Sequence, residues 1–330
     1  MKKLTSKIHY NNKIKLEKVL DKFKSSMFFI VTDDNLLNIY NDYLKDTFSN
    51  YNYQIITVLE KEKSKTLEEY QNLTNELLLK GITRKDIIVA FGGGSIGDLA
   101  GFVSATILRG VKFINIPTTL LAMVDSCIGG KVGINTKYGK NLIGAFKESN
   151  VVFINTNLLK TLPKSELING YAEIVKTSFI LDRKMFNYID EEQYLEKLIK
   201  RAQKLKQSVV KKDFFEKGKR MILNFGHTFG HAIEKKSNYE ISHGIAVFQG
   251  MEIALRIGIA LSVTEESDLD LLYYFFDKYE IGPFKGDLLE LTNLIKFDKK
   301  IVNDYVNFVL IKKNAVIYEI KVDFLYELLR

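Results

Sequence analysis

Asp86-Ile-Ile-Val-Ala-Phe91, running without a break into Gly92-Gly-Gly-Ser-Ile-Gly-Asp98, is the stretch whose reading decides the fold of this chain. The first part is a continuous apolar run of the kind that forms a strand buried on both faces. The second is a glycine-rich turn at the carboxyl end of that strand, opening a helix. Glycines there let backbone N–H groups approach a diphosphate, and the helix N-terminus favours its negative charge. A tight strand-to-helix turn needing positive φ would use the same residues. Three contiguous glycines depart from the strict dinucleotide fingerprint, but the strand context favours dinucleotide binding.

Outward from this point the first half of the chain repeats the pattern. Met27-Phe-Phe-Ile-Val-Thr32, Phe113-Ile-Asn-Ile116 and Val151-Val-Phe-Ile154 are further apolar runs, separated by segments of helical periodicity. Such alternation predicts a parallel sheet with helices on its faces. Ligands of these sheets bind outside the carboxyl ends of the strands, which is where Asp33, Asn35, Thr118 and Thr119 fall. Asp33 fits a ribose contact and a helix N-cap equally well.

Past residue 160 the texture changes. Apolar positions recur at helical spacing over 163–205, and 244–262 is apolar nearly all round, as a buried helix is. Two runs, 305–311 and 315–320, predict a small hairpin around Lys312-Lys-Asn314. The expectation is an α/β dinucleotide-binding domain with a mostly parallel sheet over 1–160. A mainly α-helical metal- and substrate-binding domain follows over 161–330, with the active site in the cleft between them.

A length of 330 residues supports two domains, and a composition of 46% hydrophobic and 27% charged residues is that of a globular protein. The net charge of +8 permits an anionic partner. Lys and Arg are spread along the chain and interleaved with Asp and Glu, which argues against nucleic acid and for a small phosphorylated substrate. Cys127 is the single cysteine, so no internal disulfide forms and a reducing compartment fits. No apolar run approaches a membrane span and the first ten residues do not resemble a signal peptide, so the expected location is the cytoplasm.

Three of the four histidines fall in Arg220-Met-Ile-Leu-Asn-Phe-Gly-His-Thr-Phe-Gly-His231 and Ser242-His243-Gly244. His227 and His231, four apart on a helix, share a face and can aim at one ion; the same spacing suits core histidines bonded to backbone. Arg220 and Asn224 beside them suit an anion. Glu173 and Lys176 stand at i, i+3 on an apolar helix, so at least one charge is expected in an interior cleft rather than in a surface pair. A carboxylate with two imidazoles makes a zinc site with an open position. Asp125, Lys131, Lys140 and Asn141, on expected loops, suit an anionic polyol.

Seven ordered segments, GGGSIGD, ILRG, IPTTLLAMVDSCIGGKVGIN, GKNLIGAF, GYAEIVK, LNFGHTFGHAIE and HGIAV, resemble the 3-dehydroquinate synthase family of sugar-phosphate cyclases, over residues 33–300. The resemblance implies that Glu173, His227 and His243 bind a divalent metal, zinc or cobalt, in place of the His227–His231 pairing suggested by spacing. It implies proton handling by His231 and Glu216. It puts NAD against Asp33, Asn35, Glu62, Lys65, Gly93, Gly94, Ser95, Asp98, Thr118, Thr119, Lys140 and Thr161. Substrate contacts are implied for Asp125, Lys131, Asn141, Lys176, Lys206, Arg220, Asn224, His231 and one of Lys299 and Lys300, with Lys131 and Lys176 also in catalytic roles. Arg109 is implied to reach the substrate phosphate of the neighbouring subunit in a homodimer.

The implied reaction turns 3-deoxy-D-arabino-heptulosonate 7-phosphate into 3-dehydroquinate and phosphate. It runs through transient oxidation by NAD, phosphate elimination, re-reduction, ring opening and aldol closure. Cys127 stands where the family commonly has Ser, Val132 where it has Thr, and Glu148-Ser149 where a proline is usual. None of these changes removes a group that does chemistry, although Cys127 adds a thiol near the site. The competing readings are a cyclase making a deoxyinosose or valiolone-type ring, and a metal-dependent polyol dehydrogenase, which would accumulate NADH.

Overall fold

A six-stranded, all-parallel sheet contains the four strands that the apolar runs predict and two edge strands that they do not, in a computed structural model that describes residues 6–10, 13–296 and 305–328. Its strands are β1 (Lys7–Tyr10), β2 (Phe28–Asp33), β3 (Tyr53–Val58), β4 (Ile87–Gly92), β5 (Lys112–Pro117) and β8 (Val151–Ile154), in the order β1-β8-β5-β4-β2-β3. Helices α1 (Lys13–Leu20), α2 (Asp34–Phe48), α3 (Leu67–Leu79) and α4 (Gly94–Thr106) connect them. β2 and β4 are buried along their whole length. Side chains alternate between faces, so Phe29, Val31, Ile88 and Ala90 pack with Leu73 and Leu77 of α3 and Leu99 and Val103 of α4.

The chain winds one way from β2 to β3 and the other way from β4 to β5, so its direction reverses between the paired strands β2 and β4. In an open parallel sheet such a reversal leaves a crevice at the strands' carboxyl ends. Asp33 ends β2 and Gly92 ends β4, which puts the glycine turn on that crevice.

The segment expected to be loop around Lys131 and Lys140 is instead an antiparallel ribbon, β6 (Lys131–Thr136) with β7 (Gly139–Phe146). Lys131 pairs with Phe146 and Ile134 with Ile143, and the register shifts before Thr136 pairs with Gly139. Its polar and glycine-rich sequence hid the strand periodicity.

The helical part comprises α5 (Lys164–Ile180), α6 (Leu195–Lys212), α7 (His227–Lys236), α8 (His243–Ala260), α9 (Glu266–Tyr279), α10 (Leu288–Lys296) and α11 (Val322–Leu328). The expected hairpin is β9 (Tyr305–Lys312) with β10 (Asn314–Lys321). α8 is buried along most of its length, and Phe229 and Ile233 of α7 join Ile253 and Ile257 of α8 with Phe308 and Leu310 of β9 in one core. By internal contacts the chain forms two compact units, 1–167 with 206–215, and 168–205 with 216–330. Among the described residues no helix is long and apolar enough to cross a membrane.

Candidate metal centre and cofactor edge

Helices α5, α7 and α8 carry the metal-type side chains, and small residues let them approach. Asn169 of α5 accepts the backbone N–H of Gly244 through Oδ1 at 3.0 Å, satisfying a donor at the open start of α8. A side chain on Gly244 would run into the Asn169 backbone. Lower on α8, a Cβ on Gly250 would strike the Gly226 carbonyl and lie 2.7 Å from the Gly230 nitrogen of α7. This backbone-to-backbone fit sets Glu173, His227 and His243 together.

Ligand atoms of these three residues lie within 4.8 Å of one another. Glu173 is buried, and its Oε1 stands 3.5 Å from His227 Nε2 and 3.7 Å from His243 Nε2. Ligand atoms about 2.0–2.1 Å from a tetrahedral ion are roughly 3.4 Å apart, so these separations suit a shared cation. Oε1 has no hydrogen-bond partner among the described residues, an orphaned buried acceptor that a cation would satisfy. The donor set of one carboxylate and two imidazoles fits zinc or cobalt.

Each histidine presents Nε2 because its other nitrogen is engaged. His227 Nδ1 donates to the Phe225 carbonyl at 3.1 Å, and His243 Nδ1 faces Glu234 Oε2 at 3.4 Å. Burial, with Lys176 and the other two histidines adding to it, holds the His227 imidazole well below its ordinary pKa and so neutral. Burial alone would lower His243, but Glu173 and Glu234 outweigh it and raise it to about 9. Burial alone would raise Glu173; the Lys176 ammonium, paired with Oε2, and His243 reverse this and bring it to about 2. The carboxylate is ionised at neutral pH, as a metal ligand must be. The His231 ring is 5.3 Å from that of His227, and its residue is exposed.

In the same unit Arg220 is buried in the 3-10 segment Lys219–Asn224. Asn224 Nδ2 donates to Glu216 Oε1 at 3.0 Å, and Glu216 sits in the left-handed region at φ 57°. Lys299 and Lys300 lie outside the described residues.

The cofactor-type residues gather on the sheet unit. Asp33 caps α2, its Oδ1 accepting the Leu36 N–H at 2.8 Å, and Asn35 is exposed on the next turn. Gly93 and Gly94 open α4, while the Thr118 N–H bonds the Gly92 carbonyl at 3.0 Å and Thr119 Oγ1 accepts from Ala122 at 3.2 Å. Lys65, 4% exposed, bonds Asp98 at 2.7 Å and Asn141 at 2.5 Å. Ser95 donates to Glu62 at 3.0 Å. Asn141, implied as a substrate contact, thus lies in the cofactor-side cluster. Burial pushes the Asp98 carboxyl above its ordinary value against the pull of Lys65. Burial would raise Glu62 also, but Lys65, Asn135, Lys140 and Ser95 hold it below. Thr161 Oγ1 pairs with the Tyr40 hydroxyl.

Lys206 Nζ bonds Asp125 through its carboxylate at 2.6 Å and its carbonyl at 2.8 Å. Lys131 is exposed at the start of β6. Arg109 is exposed next to Leu108, both with positive φ. The Cys127 thiol is buried and burial pushes it up to about 12, so it is not a reactive thiolate.

Three residues of these clusters escaped the sequence reading. Asn135 donates to Glu62 at 2.6 Å and accepts the Asn141 N–H at 2.9 Å, joining the two. Asn169 caps α8. Glu234 stands seven residues after His227, on the same face of α7, a periodicity that would have singled it out.

The N-terminal family pattern of 3-dehydroquinate synthase matches residues 55–169, and the C-terminal one matches 170–301. The chain is 39% identical to the 3-dehydroquinate synthase of Thermoanaerobacter pseudethanolicus over 320 residues, 92% of this chain and 89% of that protein. It is 40% identical to that of Clostridium tetani, covering 90% of this chain and 83% of the relative. Among solved structures it resembles 2-deoxy-scyllo-inosose synthase complexed with carbaglucose-6-phosphate, NAD+ and Co2+, with a TM-score of 0.86 and 26% identity over 98% of this chain and 96% of that one.

Proposed function

The chain belongs to the 3-dehydroquinate synthase family, and from that premise we propose that it converts 3-deoxy-D-arabino-heptulosonate 7-phosphate into 3-dehydroquinate and phosphate. It acts as an NAD- and divalent-metal-dependent carbon–oxygen lyase of the shikimate pathway, toward chorismate and the aromatic amino acids. The observation that carries the reading is the set of buried Glu173 and half-buried His227 and His243 around an orphaned carboxylate oxygen.

A divalent cation held by these three residues would supply Lewis-acid polarisation of a substrate oxygen, and bound NAD would supply reversible hydride exchange without net consumption. Asp33, Asn35, Glu62, Lys65, Ser95, Asp98, Lys140 and Thr161 orient that cofactor, with backbone N–H groups of Gly93 and Gly94 at the α4 N-terminus toward its diphosphate, and Thr118 and Thr119 beside it.

Lys131, Lys176, Lys206, Arg220, Asn141, Asn224 and Asp125 hold the phosphorylated polyol. Arg220 offers a planar fork suited to a carboxylate or phosphate, and its burial strengthens the bond. The imidazole of His231 and the carboxylate of Glu216 move protons, Glu216 being oriented by Asn224 Nδ2. Arg109, exposed on its left-handed turn, serves the phosphate bound by the partner in a homodimer. The single reduced cysteine suits the cytoplasm as the place of work.

The test is phosphate release from 3-deoxy-D-arabino-heptulosonate 7-phosphate, measured with and without NAD+ and with a metal chelator. Release is expected only with both cofactors present and without accumulation of NADH. NADH formed in proportion to product would overturn the reading in favour of a dehydrogenase. Phosphate release from glucose 6-phosphate, and none from the heptulosonate, would favour an inosose-type cyclase.

A further inference from the structure

Glu234 is a buried carboxylate that the proposed chemistry does not use. It is 3% exposed, lies on the face of α7 that also carries His227 and His231, and reaches to the first residue of α8. Its Oε2 stands 3.4 Å from His243 Nδ1, while the opposite ring nitrogen, Nε2, stands 3.7 Å from Glu173 Oε1. An ionised carboxylate only accepts hydrogen bonds, so the proton between the two groups belongs on Nδ1, and Nε2 is the ring atom turned toward Glu173, where it offers its lone pair to an ion once its own proton has left.

His227 reaches the same tautomer through the Phe225 carbonyl, a neutral acceptor. The two imidazoles are thus oriented by unequal partners, a peptide dipole for one and a full negative charge for the other. A carboxylate behind a ligating imidazole fixes the ring and raises its basicity. We propose that Glu234 is a positioning residue that holds His243 with Nε2 toward Glu173 and so tightens the grip of Glu173, His227 and His243 on a divalent cation. This rests on the reading of those three residues as the metal set.

The test uses the full-length protein and its Glu234→Gln and Glu234→Ala variants. Zn2+ affinity is measured by competition with a chromophoric chelator, and ligand geometry by the visible absorption of the Co2+ form. The thermal midpoint of each metal-free protein is the structural control. Glu234→Ala is expected to bind Zn2+ about 10- to 100-fold more weakly, the range for partners behind metal ligands. Glu234→Gln keeps an acceptor oxygen without the charge, and should recover part of that loss with an unchanged metal-free midpoint. If Glu234→Ala does not fold, the Gln variant decides alone.

Wild-type Zn2+ affinity and Co2+ absorption in Glu234→Gln, and in Glu234→Ala where it folds, would sink the inference. So would a drop in affinity matched by a fall in the metal-free midpoint of Glu234→Gln, since that is a packing role. A wild-type protein that binds no Zn2+ would instead remove the metal reading, and this inference with it.

Discussion

The proposed metal side and the proposed cofactor side of this protein are built in opposite ways. Around Glu173 the chain uses close backbone packing, three helices and buried charge, so that the position of each ligand atom is fixed by the helices that carry it. Around the glycine turn it uses polar and charged side chains in a shared network, in which Glu62, Lys65, Ser95, Asp98, Asn135 and Asn141 brace one another. A small ion of fixed bond length tolerates little misplacement, whereas a long dinucleotide spreads its binding over many weak contacts. The first site should therefore fail abruptly when one part is removed, and the second gradually.

The sharpest test of that contrast is His243→Ala, which should weaken Zn2+ binding by more than about 100-fold, beyond the range for a residue behind the ligands. His231→Ala should keep its metal and lose turnover. Metal analysis of the two purified variants separates them, and the reverse pattern would exchange the two histidines' roles.

Packing comes next. Gly250→Ala puts a methyl group against the Gly226 carbonyl and should lower unfolding stability by up to about 3 kcal/mol, the scale of an overpacked core. Denaturant titration reads this directly, and an unchanged midpoint would mean that the α7–α8 approach is looser than described.

Arg220→Lys keeps the charge and loses the planar fork. We expect a loss of about 2 kcal/mol in transition-state stabilisation, roughly 30-fold in kcat/KM. A near wild-type kcat/KM would remove Arg220 from the binding set.

The smallest effect belongs to the braced network. Asn135→Ala removes one strut between Glu62 and Asn141 and should weaken NAD+ binding by about 1 kcal/mol, the net worth of one hydrogen bond. Calorimetric titration with NAD+ would show it, and an abolished affinity would break the proposed contrast between the two sides.

What could be read in advance follows the same division. β2, β4, β5 and β8 announce themselves because strands buried on both faces are mostly apolar. β1 and β3 are edge strands with half-buried patterns: β1 has no apolar run, and in β3 the exposed Thr57 interrupts Ile55, Ile56 and Val58. The β6–β7 ribbon was concealed by glycines and polar residues that elsewhere mark loops. Glu173 and Lys176 stood out as charges among apolar neighbours. The grouping of His243 with His227 followed only from the family resemblance, because helix spacing pairs His227 with His231. Asn135 and Asn169 act through contacts distant in sequence, which no local pattern encodes.

The interleaving of the two compact units has a consequence for how the chain is made. The polypeptide passes from one unit to the other after residues 167, 205 and 215. The sheet unit is therefore unfinished until residue 215 has been synthesised, because Lys206 binds Asp125 and the Phe214 ring sits 5.4 Å from that of Phe146. By then α5 and the whole of α6 have already been synthesised. A nascent chain of this kind cannot complete its N-terminal unit first and then start on the next, as separately folding domains do. For the same reason no single cut divides the protein into two self-sufficient fragments.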